Sequence, residues 1–96
     1  IVLGRRYKEK DAYDIYSVVS NYRGGPKDVA SEVKKFLNEK FVKEGIQSIK
    51  HMFRSQRAEG PSWAGTFLYP TDERAKERAQ ADAFFKVSDF IKLIES

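Results

Sequence analysis

The sequence predicts an all-α fold, a compact bundle of about four helices. Apolar residues recur at the i, i+3, i+4, i+7 spacing of a helical face over most of the chain. Glycine and proline fall in groups that stop each periodic stretch. Sustained alternation of the strand type is missing, apart from the short run Thr66–Tyr69.

The first helix is expected from about Asp11 to Tyr22, with Ala12, Ile15, Tyr16, Val19 and Tyr22 on one face. Asp11 suits its N-cap or its first turn, where a carboxylate accepts from free backbone N–H groups. Arg23-Gly24-Gly25-Pro26 ends it, because glycine adopts left-handed C-terminal geometry and proline cannot continue the ladder. Pro26 opens the second helix, with Asp28 in its first turn and Val29, Val33, Phe36 and Leu37 as its buried stripe.

The phase shifts near Asn38 and Glu39. A third stripe then runs through Val42, Ile46, Ile49, Met52 and Phe53. The sequence leaves open whether the second and third segments are one bent helix or two. Gly45 sits within the third stripe, where it costs about 1 kcal/mol against alanine and invites close approach of another helix. From Arg54 to Pro70, Gly60, Pro61, Gly65 and Pro70 interrupt the periodicity, and a packed connection is expected with Trp63 and Phe67 pinned on the helices. Thr71 is the expected cap of the last helix, with Asp72 and Glu73 in its first turn. Ala75, Ala79 and Ala83 give that helix a small-residue face, which Phe84, Val87, Ile91 and Ile94 continue.

With 96 residues, 41% hydrophobic and 33% charged, the chain has the composition of one globular domain with a thin core. It has no cysteine, which excludes disulfides and thiolate metal sites, and a cytoplasmic setting is the expectation. No apolar run is long enough to span a bilayer, so no membrane partner is expected. The formal net charge of +4 fits either a surface of mixed signs or a positive face that attracts phosphate or nucleic acid. The chain opens on Ile1-Val2-Leu3, and one helical domain, residues 1–96, is expected to be the C-terminal part of a larger protein.

Few residues offer chemistry. His51 is the single histidine, and its spacing to Arg54 matches no catalytic pattern, so an ordinary helical residue is expected. Gly24-Gly25 lacks the Gly-x-x-x-x-Gly-Lys context of a phosphate loop and serves as a terminator. Tyr7, Tyr13, Tyr16 and Tyr22 have the spacing of core or core-edge aromatics more than that of a base-stacking platform. The alternating charges of Glu73–Arg78 suit an exposed helical face. One constellation remains, Arg5-Arg6-Tyr7-Lys8-Glu9-Lys10-Asp11-Ala12-Tyr13-Asp14-Ile15-Tyr16. Basic side chains gather before a helix start whose free N–H groups and partial positive charge favour anions. Lys10 and Asp14 can pair one turn apart, and a capped helix start with a surface ion pair accounts equally for the pattern.

Lys8-x-Lys10-Asp11-x-x-Asp14-Ile15 resembles the Arg-x-Lys-Asp-x-x-Asp-Leu motif of the AbiEii/AbiGii-type nucleotidyltransferase-like proteins of bacterial abortive-infection and toxin–antitoxin systems. The run Lys10–Gly25, KDAYDIYSVVSNYRGG, is similar to that of stand-alone members. The resemblance implies an α/β nucleotidyltransferase core followed by a helical C-terminal region, with this motif at the junction. It implies nucleotide-binding roles for Lys8 and Lys10, Lys10 neutralising phosphate. It implies catalytic roles for Asp11 and Asp14, either of which would orient or deprotonate an acceptor hydroxyl. Lys8 stands where the family has arginine, and Arg6 is the candidate to supply the guanidinium in its place. The Asp-x-Asp pair that holds Mg²⁺ in such a core is absent from the 96 residues. Mg²⁺ and a nucleoside triphosphate are therefore implied for the parent protein, and this chain alone is expected to be inactive. The implied partners are the N-terminal core and an RNA or protein acceptor. The alternative is a free-standing basic helical module that binds RNA or a protein.

Overall fold

The computed structural model describes the backbone of residues 5–95 and the side chains of residues 8–95. Ile1-Val2-Leu3 and the side chains of Arg5, Arg6 and Tyr7 lie outside the described residues. The order is α1 (Arg5–Asn21), α2 (Pro26–Lys34), α3 (Lys40–Met52), α4 (Glu59–Leu68) and α5 (Glu73–Glu95), and no strand occurs among the described residues. The all-α bundle expected from the sequence is present, with one more helix than the periodicity alone resolves.

The first correction concerns α1. It starts at Arg5, so Asp11 lies in its interior and is not an N-cap. Straight-chain Arg, Lys and Glu side chains lose little rotamer freedom in a helix and extend it backwards. Glu9 is buried there, and the Lys8 ammonium sits 5.9 Å from the centre of the Trp63 ring on α4. Tyr13 stacks on Phe67 one turn further along each helix, with ring centroids 5.0 Å apart. Trp63 and Phe67 are thus pinned on a helix as expected, but the segment that carries them is itself helical.

The helix α4 forms despite two glycines and a proline. Pro61 falls in its first turn, where a missing N–H breaks no intrahelical bond. The glycines are contact points. A Cβ on Gly65 would come within 2.8 Å of the Lys76 carbonyl oxygen on α5. A Cβ on Gly60 would come within 2.7 Å of the Phe53 ring and 2.8 Å of the Met52 carbonyl oxygen. Residues that punctuate a sequence pattern here let backbones approach.

The Arg23–Pro26 stop ends α1 as expected. Gly25 has φ of 95° and Arg23 has φ of 49°, both left-handed. The Gly24 N–H donates to Asp28 Oδ2 at 2.8 Å, which ties the turn to the start of α2. The segments α2 and α3 are two helices. Tight i to i+3 turns at Phe36 and Leu37 and an extended Glu39 separate them. Phe36 is half exposed at this turn and does not join the buried stripe. At α5 the cap is Asp72, not Thr71. Asp72 Oδ1 accepts from the Ala75 N–H at 3.1 Å, and its carbonyl accepts from Lys76 at 2.9 Å.

The longest helix, α5, is the centre of the core. Ala75, Ala79, Ala83, Val87, Ile91 and Ile94 are buried along it as the sequence predicts. Phe90 is buried too, whereas Phe84 is only partly covered. Ala12 and Val19 of α1, Val29 and Ala30 of α2, Ile46 of α3 and Ala64 of α4 complete the cluster. Gln80 is satisfied by donating to the Gln56 carbonyl oxygen at 2.7 Å. The Tyr16 hydroxyl donates to Asp82, whose Oδ2 also lies 3.3 Å from Lys86 Nζ, so a polar tie joins α1 to α5.

Two expectations follow. Gly45→Ala should raise the thermal stability of the monomer by up to about 1 kcal/mol, since a Cβ there meets nothing within 4 Å. Gly65→Ala should lower it in spite of the same gain in helix propensity. Equal gains at both sites in denaturant titrations would contradict the packing described. Burial, followed by the hydrogen bond to Asp82 and its charge, raises the Tyr16 hydroxyl well above its ordinary value of 10.0. The folded chain therefore keeps a proton that the unfolded chain releases. Stability should be intact below pH 10 and fall as pH rises above it, and Tyr16→Phe should remove that component of the slope.

Candidate functional site

Helical geometry separates the Lys8–Tyr16 segment into two faces. Ala12 is fully buried, and Tyr13, Ile15 and Tyr16 are partly buried. Lys8, Lys10, Asp11 and Asp14 are all exposed. At about 100° per residue, Lys10, Asp14 and Asp11 share an arc of roughly 100°, with Lys8 about 60° beyond, over about 9 Å of helix length. Lys10, Asp14 and Asp11 thus share one outward strip of α1, and Lys8, exposed as well, stands past Ile15 at the edge beside α4.

Their electrostatics differ from the expected arrangement. The strip lies in the body of α1, so the free N–H groups and positive end of the helix do not reach Lys10, Asp11 or Asp14. Any attraction for an anion rests on the side chains. Lys10 Nζ lies 2.9 Å from Asp14 Oδ2, and the pair is open to solvent, with side-chain exposures of 61% and 50%. Such a pair contributes about 0.3–0.5 kcal/mol. Asp14 also holds the lysine in place on the helix surface. The Lys8 contact with Trp63 sets that ammonium at the α1–α4 edge.

Metal chemistry is not built here. Mg²⁺ needs carboxylate oxygens that converge on one point. Among the described residues no group of three His, Cys, Asp or Glu could hold a metal ion. Asp11 and Asp14, by themselves, do not fit the Mg²⁺ implied for a nucleotidyltransferase, and no step through the metal can be assigned to them.

Other candidates have structural roles. His51 is exposed near the end of α3. Arg54 donates to the His51 carbonyl oxygen at 2.8 Å and to Glu59 Oε1 at 2.8 Å, which clasps the end of α3 to the start of α4. Its guanidinium holds the Glu59 carboxyl below the usual value. A shallow hollow of about 690 Å³ lies beside Phe84 and Phe85 on α5. Arg54, Lys86, Lys92, Asp82, Asp89 and Ser88 line it, a surface of mixed charge.

The feature that sequence patterns missed is an apolar groove of about 390 Å³ between α1, α2 and α3. Ile15, Val18, Val33, Val42, Ile46 and Ile49 form its walls, Gly45 lies among them, and Asp14 is at its lip. Val18 is 55% exposed. The charged strip of α1 and the groove thus meet at Asp14. Apart from Val18, each wall residue fits an ordinary buried stripe, so only their assembly from three helices reveals an uncovered surface.

Comparison with protein-family models, with curated proteins and with solved structures finds no match for this chain. Among the described residues, no helix is long and apolar enough to cross a membrane.

The position of Asp11 yields a direct measurement. Asp11→Ala should leave stability unchanged or raise it by up to about 0.5 kcal/mol, because aspartate is a poorer interior helix former than alanine. Loss of an N-cap would instead cost about 1 kcal/mol. Chemical denaturation of the two proteins separates the signs.

Proposed function

We propose that these 96 residues are the helical module of a nucleotidyltransferase-like protein of the cytoplasm, and that the outward strip of α1 faces a nucleotide-binding core elsewhere in that protein. One observation carries the proposal. Within the run that resembles the AbiEii/AbiGii-type motif, Ala12, Tyr13, Ile15 and Tyr16 turn inward and serve the fold, while Lys8, Lys10, Asp11 and Asp14 turn outward. The charged half of the motif stands at the surface, Lys8 beside Trp63 and Lys10 paired with Asp14, where a core outside these residues can reach it.

In this role Lys10 places a positive charge against nucleotide phosphate, and Asp14 orients the Lys10 ammonium through their 2.9 Å contact. Asp11 and Asp14 stand ready to accept a hydrogen bond from an acceptor hydroxyl. Lys8 contributes charge but not the bidentate grip of the arginine found in the family. The metal carboxylates of such a site belong to the core. The acceptor, RNA or protein, docks across the same strip.

The test uses the intact protein that contains these residues. Lys10→Ala should weaken nucleotide affinity by about 1.5–3 kcal/mol, the usual loss of a charge-assisted contact. Asp14→Asn should lower turnover more than affinity, because it keeps the shape and removes the charge. Both sites are exposed, so melting temperatures should stay within about a degree or two of the parent. Full activity in both variants would contradict the assignment.

A further inference from the structure

We infer that this chain pairs with a second copy of itself through α3, the two α3 helices crossing antiparallel at Gly45 with Phe41 of each copy seated in the apolar groove of the other. This pairing is independent of the nucleotidyltransferase proposal and uses a different surface.

The groove between α1, α2 and α3 is the hole. Its walls are aliphatic, and Ile46 is the one buried residue of α3 among those described. Phe41 is the knob. It is 84% exposed, the most exposed large apolar side chain among the described residues, and it adjoins Val42, which lines the groove. The fold gives this aromatic ring no place of its own.

Gly45 fixes the register. It sits mid-helix on the groove face, where glycine is the poorest ordinary helix former, and among the described residues nothing outside its own stretch of helix lies within 4 Å of the position its Cβ would take. Packing within the chain therefore does not call for glycine there. A second backbone crossing at that point does, since a missing side chain shortens the approach of two helices. Phe41 precedes Gly45 by four residues and Ile49 follows it by four. A two-fold axis at Gly45 then sets Phe41 opposite the partner's Ile49, a wall of the groove, and the reverse contact follows by symmetry.

The remaining terms are compatible with a second copy. Lys40 and Lys50 each lie about 140° around α3 from Gly45, so both ammonium groups point away from the seam, and Lys50 is paired with Glu95 at 2.6 Å within its own copy. Phe41 hides about 150–200 Å² of its own surface in each copy, and the groove it enters loses a comparable area. With the α3 faces between them, the pair reaches roughly 1,000 Å², the lower bound of a specific interface. A reversible dimer at micromolar concentration is the consequence. Because each copy carries a net charge of +4, added salt should tighten it. An acidic or nucleic-acid occupant would show the opposite salt dependence.

Sedimentation equilibrium of the intact chain from about 1 to about 300 µM should show a monomer–dimer equilibrium. Phe41→Asp, at a site open to solvent, should keep the far-ultraviolet circular dichroism of the parent and weaken the dimer by at least about tenfold. The chain has no cysteine, so Gly45→Cys can be oxidised alone. It should form a disulfide-linked dimer quickly, whereas Gln47→Cys, turned away from the axis, should do so at least about tenfold more slowly. A monomer throughout the concentration range, a Phe41→Asp dimer as tight as the parent's, or equal crosslinking at positions 45 and 47 would each overturn the inference.

Discussion

The close approach of α4 to α5 is the constraint on which the rest of the chain is arranged. Gly65 lies against the Lys76 backbone, and a single methyl group at that site would overlap a carbonyl oxygen. The alanines of α5, at positions 75, 79 and 83, keep its surface low in the same region. A small chain has little apolar area to bury, and bringing backbones together raises the packed contact per residue. Once α4 lies flat on α5, its Trp63 and Phe67 form the ledge that receives Lys8 and Tyr13 of α1. The Tyr16–Asp82 bond then closes α1 onto α5 from the other side.

Surface chemistry follows from that arrangement. Because α1 spends one face on α4 and α5, its opposite face is left with Lys10, Asp11 and Asp14, and then with Val18. The charged strip and the apolar groove are successive stretches of one uncovered helix face, and they differ only in which residues the sequence sets there. The groove exists because α2 packs on α5 while α3 touches the body through few residues.

Much of this was legible in the residues. The α5 stripe, the Arg23–Pro26 stop and the docking of Trp63 and Phe67 all follow from period and residue type. The start of α1 did not, because apolar periodicity begins at Ala12 and Asp11 looks like a cap. The turn before it carries the Lys8 contact with Trp63 on α4, which no local pattern records. The helix α4 was hidden because glycine marks both chain breaks and close packing, and only the neighbour at 2.8 Å distinguishes the two. Phe36 has the spacing of a core residue, yet the helix ends two residues before it. For the candidate site, the exposure of Lys8, Lys10, Asp11 and Asp14 was legible from the helical period, while the field at a helix end was misplaced together with the helix start. The groove was invisible because its walls come from three separate elements.

The sparse attachment of α3 has a consequence for how the molecule opens. Segments with few buried contacts form cooperative units whose opening free energy lies well below that of global unfolding. The Lys50–Glu95 pair and the Arg54 clasp are solvent-exposed, so they add little to the hold of Ile46, Ile49 and Phe53. Amide protons of residues 40–52 would then exchange with solvent through a partial opening that leaves α1, α4 and α5 assembled. Whatever fills the groove contributes its binding energy first to closing this one unit. Occupancy would be recorded as slowed exchange across a single helix, and the remainder of the chain would hardly register it.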